Sequence, residues 1–314
     1  MRIAITGGTG FVGRHLARAL SSAGHEVMLI ARGMDRRDEG IRRLAHATFV
    51  PAGIGDAAKL AEVFQGCDGV AHCAGINREV GSQTFQQVHV VGTRNVVNAA
   101  RQVRVQRILF LSFLRARPSC GSPYHESKWV AEEIVRSSGL EWVVLKAGPV
   151  YGRGDHTLDH VSRSLRTFPM FPLVGMHTTL MRPLAVADLV RVAHAFLVDG
   201  RLRGKTVALM GPEAMELGEV VGRIARVIGR RPRLLHLPVS VNMVFAWAFE
   251  RVMTIPLVSK AQVRILAEGA IDPLPACDEL PADLVPSTYF TDEQIQKGLP
   301  DERSFGLKDL RWFA

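Results

Sequence analysis

The chain has no apolar run near the roughly 20 residues that span a bilayer; the densest one, Val239 to Phe249, stops at Glu250 and Arg251. A transmembrane helix is therefore not expected. That stretch is expected to form either a buried helix of a second lobe or a helix that lies on a membrane or lines a lipophilic pocket. Cysteine is scarce, and the four present (Cys67, Cys73, Cys120, Cys277) show no close pairing, so neither a disulfide framework nor a metal site is indicated. There is no internal repeat, no low-complexity tract and no nucleic-acid motif. A net charge of +9 suits nucleic acid, an anionic membrane surface or a phosphorylated cofactor, but the arginines are scattered along the chain, and no nucleic-acid partner is expected. The first strand starts at Arg2, so a cytoplasmic product without a cleaved leader is expected, with peripheral contact at the inner membrane face as an extension of that expectation.

What is present is the mix of an ordinary globular protein: 47% apolar and 22% charged in 314 residues, enough for one large core and a smaller lobe. Its most informative stretch is Thr6-Gly7-Gly8-Thr9-Gly10-Phe11-Val12-Gly13, between an apolar strand-length run and a helical pattern. The first two glycines allow a tight turn, Gly10 lets backbone approach a pyrophosphate, and Gly13 permits close packing of helix on strand. The N–H groups of the helix start, Phe11 and Val12 among them, point at the phosphates.

Strand-length runs at Arg2 to Thr6, Glu26 to Ile30, Ala47 to Pro51, Gly69 to Cys73, Arg107 to Ser112 and Glu141 to Lys146 alternate with helical patterns at Val12 to Ala23, Ala57 to Phe64, Phe85 to Gln102 and Tyr124 to Ser137. Strict alternation predicts an α/β fold, a Rossmann doubly wound parallel sheet with right-handed crossovers and ligands at the carboxyl ends of the strands. Residues 1–152 form the expected dinucleotide-binding domain, with 182–200 returning to it; 153–181 and 201–314 are expected to form a small, discontinuous C-terminal substrate lobe.

The second motif is Tyr124-His125-Glu126-Ser127-Lys128, preceded by Ser112 at a strand end. Residues four apart share a helical face, so Tyr124 and Lys128 face one cleft. A cation about 4 Å from the phenol, at an effective dielectric near 20, favours the phenolate by roughly 4 kcal/mol, about three pKa units. On this reading Lys128 lowers the Tyr124 pKa and Ser112 donates a hydrogen bond to the substrate oxygen.

With these motifs in order, the chain resembles the short-chain dehydrogenase/reductase superfamily, of the extended or atypical type called the NAD-dependent epimerase/dehydratase family. The resemblance spans essentially the whole chain and rests on Thr6 to Gly13, His72-Cys73-Ala74-Gly75, Val91-Gly92-Thr93, Tyr124 to Lys128 and Gly148-Pro149-Val150-Tyr151-Gly152. It implies that Ala74 and Gly75 line the ribose and nicotinamide side and that Gly148, Pro149 and Val150 touch the nicotinamide. The Ser112 to Ala116 stretch, Ser119 and the segment Val258 to Arg264 are similar to the group containing the nucleotide-binding accessory subunit of respiratory complex I. Sugar-nucleotide epimerases usually carry a second Ser or Thr where this chain has Phe113, and dehydratases an Asp-Glu pair beside it, where Leu114 and Arg115 stand. His89 replaces a usual Asn, as a hydrogen-bond donor or a core histidine, and Lys146-Ala147 replaces a usual Arg-Pro.

At the end of the second strand an acidic side chain would bind the ribose hydroxyls of NAD, whereas a cation accommodates the 2′-phosphate of NADP. Arg32 stands there, with no acid before Asp35, so NADP is the expected cofactor and NAD the alternative; Arg36 and Arg37 either assist or belong to an exposed charged helix. The expected function is hydride transfer between nicotinamide and a carbonyl or hydroxyl of a small-molecule substrate, lipophilic in one reading, using Ser112, Tyr124 and Lys128. The alternatives are a cofactor-bound structural or assembly protein and a sugar-nucleotide epimerase or dehydratase.

Overall fold

The computed structural model describes residues 1–33, 39–254, 256–269, 271–306 and 309–310. Asp35, Arg36 and Arg37 lie outside the described residues. Two compact units divide the chain, the first comprising Met1–Ala147, Val186–Leu209 and Asp272–Pro286, the second Gly148–Ala185, Met210–Ile271 and Ser287–Ala314.

The first unit contains β1 (Arg2–Thr6), α1 (Phe11–Ser22), β2 (Glu26–Ala31), β3 (Ala47–Pro51), α2 (Ala57–Phe64), β4 (Gly69–His72), α3 (Gly92–Gln102), β5 (Arg107–Phe113), α4 (Pro123–Arg136) and β6 (Glu141–Ala147). A π-helical stretch at Gln86–Val91 leads into α3, where the periodicity alone suggests one uniform helix. Six strands run parallel in the order β6-β5-β4-β1-β2-β3, so the strand order reverses at the β1–β4 boundary, and the crevice beyond the carboxyl ends of these two strands is where such sheets bind ligands. Ile3, Ile5, Leu16, Leu20, Leu29, Phe64 and Phe110 are almost wholly removed from solvent. Each such side chain contributes about 1.5–3 kcal/mol relative to exposure.

In the second unit lie β7 (Val150–Tyr151), α5 (His156–Thr167), β8 (Met170–Val174), β9 (Leu180–Met181) and β10 (Leu184–Ala185). The chain then re-enters the first unit with α6 (Val186–Leu197) and β11 (Lys205–Leu209). The sequence-based boundary gave all of 201–314 to the second lobe, and the structure corrects this. β11 pairs in parallel with β6 from Lys205↔Val143 to Leu209↔Ala147, completing a seven-stranded sheet. The segment Asp272–Pro286 also belongs to the first unit, where Asp278 bridges the free edge of β11 at Val207 and its carboxylate accepts from Thr206 N–H at 2.8 Å. Covering an edge strand satisfies backbone groups that water would otherwise have to pair. The return to the first unit likewise begins at Val186 rather than at 182.

The rest of the second unit is β12 (Met215–Glu216), α7 (Leu217–Val227), β13 (Arg233–Leu237), α8 (Val239–Val252), α9 (Lys260–Glu268) and α10 (Asp292–Gly298). Its own core gathers Leu158, Val161, Leu173, Val221, Ile224, Phe290 and Ile295.

Candidate active site

β1 ends at Thr6, and the chain turns at Gly7, whose φ of +71° is a conformation that residues with a Cβ rarely adopt. The N–H groups of Gly7 and Gly8 donate to the Ile30 carbonyl at 2.8 and 3.2 Å, tying the turn to β2. A Cβ on Gly7 would lie 2.8 Å from the Ala74 nitrogen, and one on Gly13 only 2.3 Å from the Gly7 carbonyl oxygen. Loop, helix start and the segment after β4 therefore meet through bare backbone. α1 has no side-chain cap and no acidic residue in its first turn, which leaves its N-terminal N–H groups and positive dipole end for an anion. Thr9 closes the cradle by donating from Oγ1 to the Gly33 carbonyl at 3.0 Å. These features fit a dinucleotide pyrophosphate. Gly13→Ala is expected to lower cofactor affinity by on the order of tenfold or more and to cost about 1–3 kcal/mol of stability, since the loop must move to accept the methyl; calorimetric titration and thermal melting check both.

Arg32 follows β2 as an exposed side chain. Its stem lies across Gly53, where a Cβ would come within 3.3 Å of the Arg32 Cγ, so Gly53 is the residue that makes room for it.

Beyond the carboxyl ends of β1 and β4 the polar groups are buried and paired. His72 bonds through Nδ1 to Thr6 Oγ1 at 2.7 Å and through Nε2 to Thr93 Oγ1 at 2.9 Å. Burial and the nearby Lys128 charge push its pKa down to about 3. His89, the residue in the usual Asn position, accepts at Nε2 from Ile76 N–H at 3.2 Å. Nδ1 therefore carries its proton and donates to Ser127 Oγ at 2.8 Å, and Ser127 in turn donates to the Tyr124 carbonyl at 2.9 Å. The imidazole is held neutral by burial, with a pKa pushed down to about 2, and braces the α4 N-terminus.

Tyr124, Lys128 and Glu132 follow one another at four-residue spacing on α4, and all three are buried. Lys128 Nζ donates to the Leu111 carbonyl at 3.0 Å and sits 5.0 Å from the Phe110 ring centroid. A Cβ on Gly75 would fall 3.3 Å from Lys128 Nζ and 3.6 Å from His89 Nε2, so Gly75, His89 and Lys128 converge. Tyr124 is 7% exposed, ringed by Phe85, His89, Phe113 and His125 at centroid distances of 5.4–5.7 Å.

Two sequence-based expectations change here. Lysine was expected to lower the tyrosine pKa; instead burial pushes Tyr124 above its ordinary value and brings Lys128 down to about 8, with Glu132 acting in the opposite direction. The second change concerns Ser112, whose hydroxyl donates to Glu132 at 2.5 Å. Successive strand residues point to opposite faces, and the β5 residue that meets Tyr124 is Phe113. The hydroxyl expected to orient a substrate oxygen is therefore engaged in the core.

Spacing reasoning did not single out Glu132, although its position eight residues after Tyr124 marks the same stripe. Its carboxylate takes Ser112, Arg136 Nη2 at 2.6 Å and Lys146 Nζ at 3.4 Å. Lys146 is fully buried and also donates to the carbonyls of Ala116 at 2.6 Å and Leu274 at 3.1 Å. Gly148, Pro149 and Val150 continue the chain from β6 into the second unit, where Pro149 accepts from Leu184 N–H at 2.8 Å and β7 pairs with β10.

The strand order, the glycine cradle and the Tyr-Lys stripe define a dinucleotide-binding protein of the doubly wound class. The chain belongs to the NAD dependent epimerase/dehydratase family, whose model matches residues 3–208. It is 31% identical over 231 residues to an uncharacterized protein of Mycobacterium tuberculosis, covering 73% of this chain but only 23% of that protein. The chain thus spans about a quarter of the length of those mycobacterial relatives. It is similar to ceramide reductase of Caulobacter vibrioides (29% identity, 75% of this chain and 73% of the relative). It is also similar to mouse mitochondrial NADH dehydrogenase [ubiquinone] 1 alpha subcomplex subunit 9 (28% identity, 77% and 64%). Among solved structures, UDP-glucuronic acid 4-epimerase from Bacillus cereus in complex with NAD shares the fold, with a TM-score of 0.64 at 18% identity over 76% of this chain and 88% of that one.

Proposed function

We propose that the chain is a nicotinamide-dependent reductase of a carbonyl compound, running in reverse on the alcohol, with Tyr124 as the proton donor. The observation that carries this reading is the convergence of Lys128 Nζ and Gly75 beside the ligand-binding crevice, with Tyr124 one helical turn before Lys128. The chemistry that a reduced nicotinamide would supply there is hydride for the carbonyl carbon. The Tyr124 phenol, protonated at neutral pH as any tyrosine is and with its pKa raised further by burial, gives its proton to the carbonyl oxygen. Lys128, with a pKa of about 8, remains largely charged at neutral pH and stabilises the phenolate left behind. Phe113 supplies no hydroxyl at the position that sugar-nucleotide epimerases use, which favours an apolar substrate over a sugar nucleotide. The similarity to ceramide reductase supports a lipophilic carbonyl as the substrate class. Steady oxidation of reduced cofactor by long-chain ketones, absent with sugar nucleotides, is the expected result, and the opposite preference would sink the substrate assignment.

NADP is the cofactor we infer, held through Arg32. A guanidinium pairing with the 2′-phosphate is a charge-assisted contact of about 1.5–3 kcal/mol. Arg32→Asp is therefore expected to weaken NADP binding roughly 10- to 100-fold and to leave NAD binding equal or better; unchanged preference in parallel titrations would place the discrimination elsewhere.

The aromatic wall around Tyr124 favours a second reading, in which the chain holds cofactor for structural ends, and the respiratory subunit relative supports it. Cofactor would then copurify and raise the melting temperature, but no carbonyl would oxidise it.

A further inference from the structure

The second unit carries an apolar surface that the chemistry at Tyr124 does not use. α8 buries only Asn242 and Ala246, while Val241, Val244 (62% exposed), Phe245 (41%) and Trp247 (47%) stand in solvent, together with Val239 at its start. The strand before it adds Leu234 and Leu235, also exposed. Natural proteins rarely leave such a run of large apolar side chains uncovered without a partner. Among the described residues no helix is long and apolar enough to cross a membrane, so the feature is an interfacial one.

Charge says what covers it. Between Glu219 and Glu250 the sequence has no acidic residue, but it holds Arg230, Arg231 and Arg233 immediately before the apolar run. These three are exposed and make no ion pair among the described residues. After the run, the Arg251 guanidinium lies 4.2 Å from the Trp247 ring centroid, and Arg264 is exposed on α9. An aromatic and aliphatic helix face bounded by arginines matches a bilayer interface with anionic headgroups, where the rings enter the acyl boundary and the cations meet phosphates. A second copy docked here about a twofold axis would bring the arginine cluster of one chain to that of the other, an arrangement opposed by charge.

We propose that α8 and the β13 segment form a membrane-docking face for anionic lipid, by which the protein sits at a bilayer surface without crossing it. The proposal stands apart from the reductase reading. Flotation of the 314-residue chain with phosphatidylcholine vesicles, with and without phosphatidylglycerol, tests it. Binding is expected only when phosphatidylglycerol is present, and is expected to weaken with added salt. Arg230→Gln and Arg231→Gln should each lower it about fivefold. The double variant Val244→Ser, Phe245→Ser should lower it by on the order of tenfold or more, with an unchanged circular dichroism spectrum, because both side chains are exposed. Tyr124→Phe should float like the wild type. Failure to bind anionic vesicles, or binding that the double variant does not affect, overturns the proposal. So does a dimer in sedimentation velocity that the double variant dissociates, since it assigns the face to a second copy.

Discussion

Tyr124→Phe is expected to lower the rate of carbonyl reduction by about a thousandfold, within the 10²–10⁴ range typical of a lost general acid, while cofactor affinity stays within about twofold. The split follows from the structure. The phenol ring packs among Phe85, His89, Phe113 and His125, and phenylalanine keeps those contacts. The cradle for the dinucleotide is built elsewhere, from Gly7, Gly10, Gly13 and the α1 N-terminus. Only the transferable proton disappears. Initial rates and a cofactor titration on the same preparation check the prediction; an equal fall in both would mean that Tyr124 holds the site together rather than supplying the proton.

Glu132→Ala should lower the melting temperature by roughly 10 °C, the consequence of a loss of about 3–5 kcal/mol on breaking a buried charge cluster. Glu132 is 0% exposed and answers Arg136, Lys146 and Ser112 together. Its removal leaves the buried Lys146 ammonium without a counter-charge among the described residues, held by the carbonyls of Ala116 and Leu274 and by the Trp129 ring, whose centroid lies 5.5 Å away. Burial already pulls the Lys146 pKa below its ordinary value, and Glu132 opposes that shift. Adding Lys146→Met to Glu132→Ala should recover much of the loss, because an apolar chain of similar length needs no counter-charge. Melting curves of the single and double variants decide the matter, and a single variant within about 1 °C of wild type would show that water enters the cluster freely.

The parts of this site written in local patterns are legible in the sequence. The glycine loop was one, because Gly7 and Gly13 occupy positions where a Cβ collides with backbone, and six sheet strands were others, because each is an apolar run between helical patterns. The Tyr124–Lys128 stripe followed from helical spacing alone. What escaped depended on contacts distant in sequence. β11 reads as an ordinary short apolar run, and only its pairing with β6 places it in the sheet. Ser112 and Phe113 are adjacent, and a one-residue difference along a strand exchanges the core face for the other face; residue type favoured the serine, whereas packing put Phe113 against the tyrosine. The pKa inversion at Tyr124 and Lys128 has the same origin, since the Coulomb argument assumed a cation beside the phenol and ignored the desolvation of both groups. In α8 the apolar composition was visible, but which of its faces α9 and β8 cover was not.

Transfer of deuterium from reduced NADP labelled at the nicotinamide hydride position tests the central claim most directly, with the product of a long-chain ketone read by mass spectrometry. Label at the new carbinol carbon with the wild-type protein, appearing about a thousandfold more slowly with Tyr124→Phe under conditions where both bind cofactor, is the predicted result. Tight binding of the labelled cofactor with no deuterium passed to any ketone would contradict it, and would leave the glycine cradle and Arg32 as parts of a binding site without a reaction.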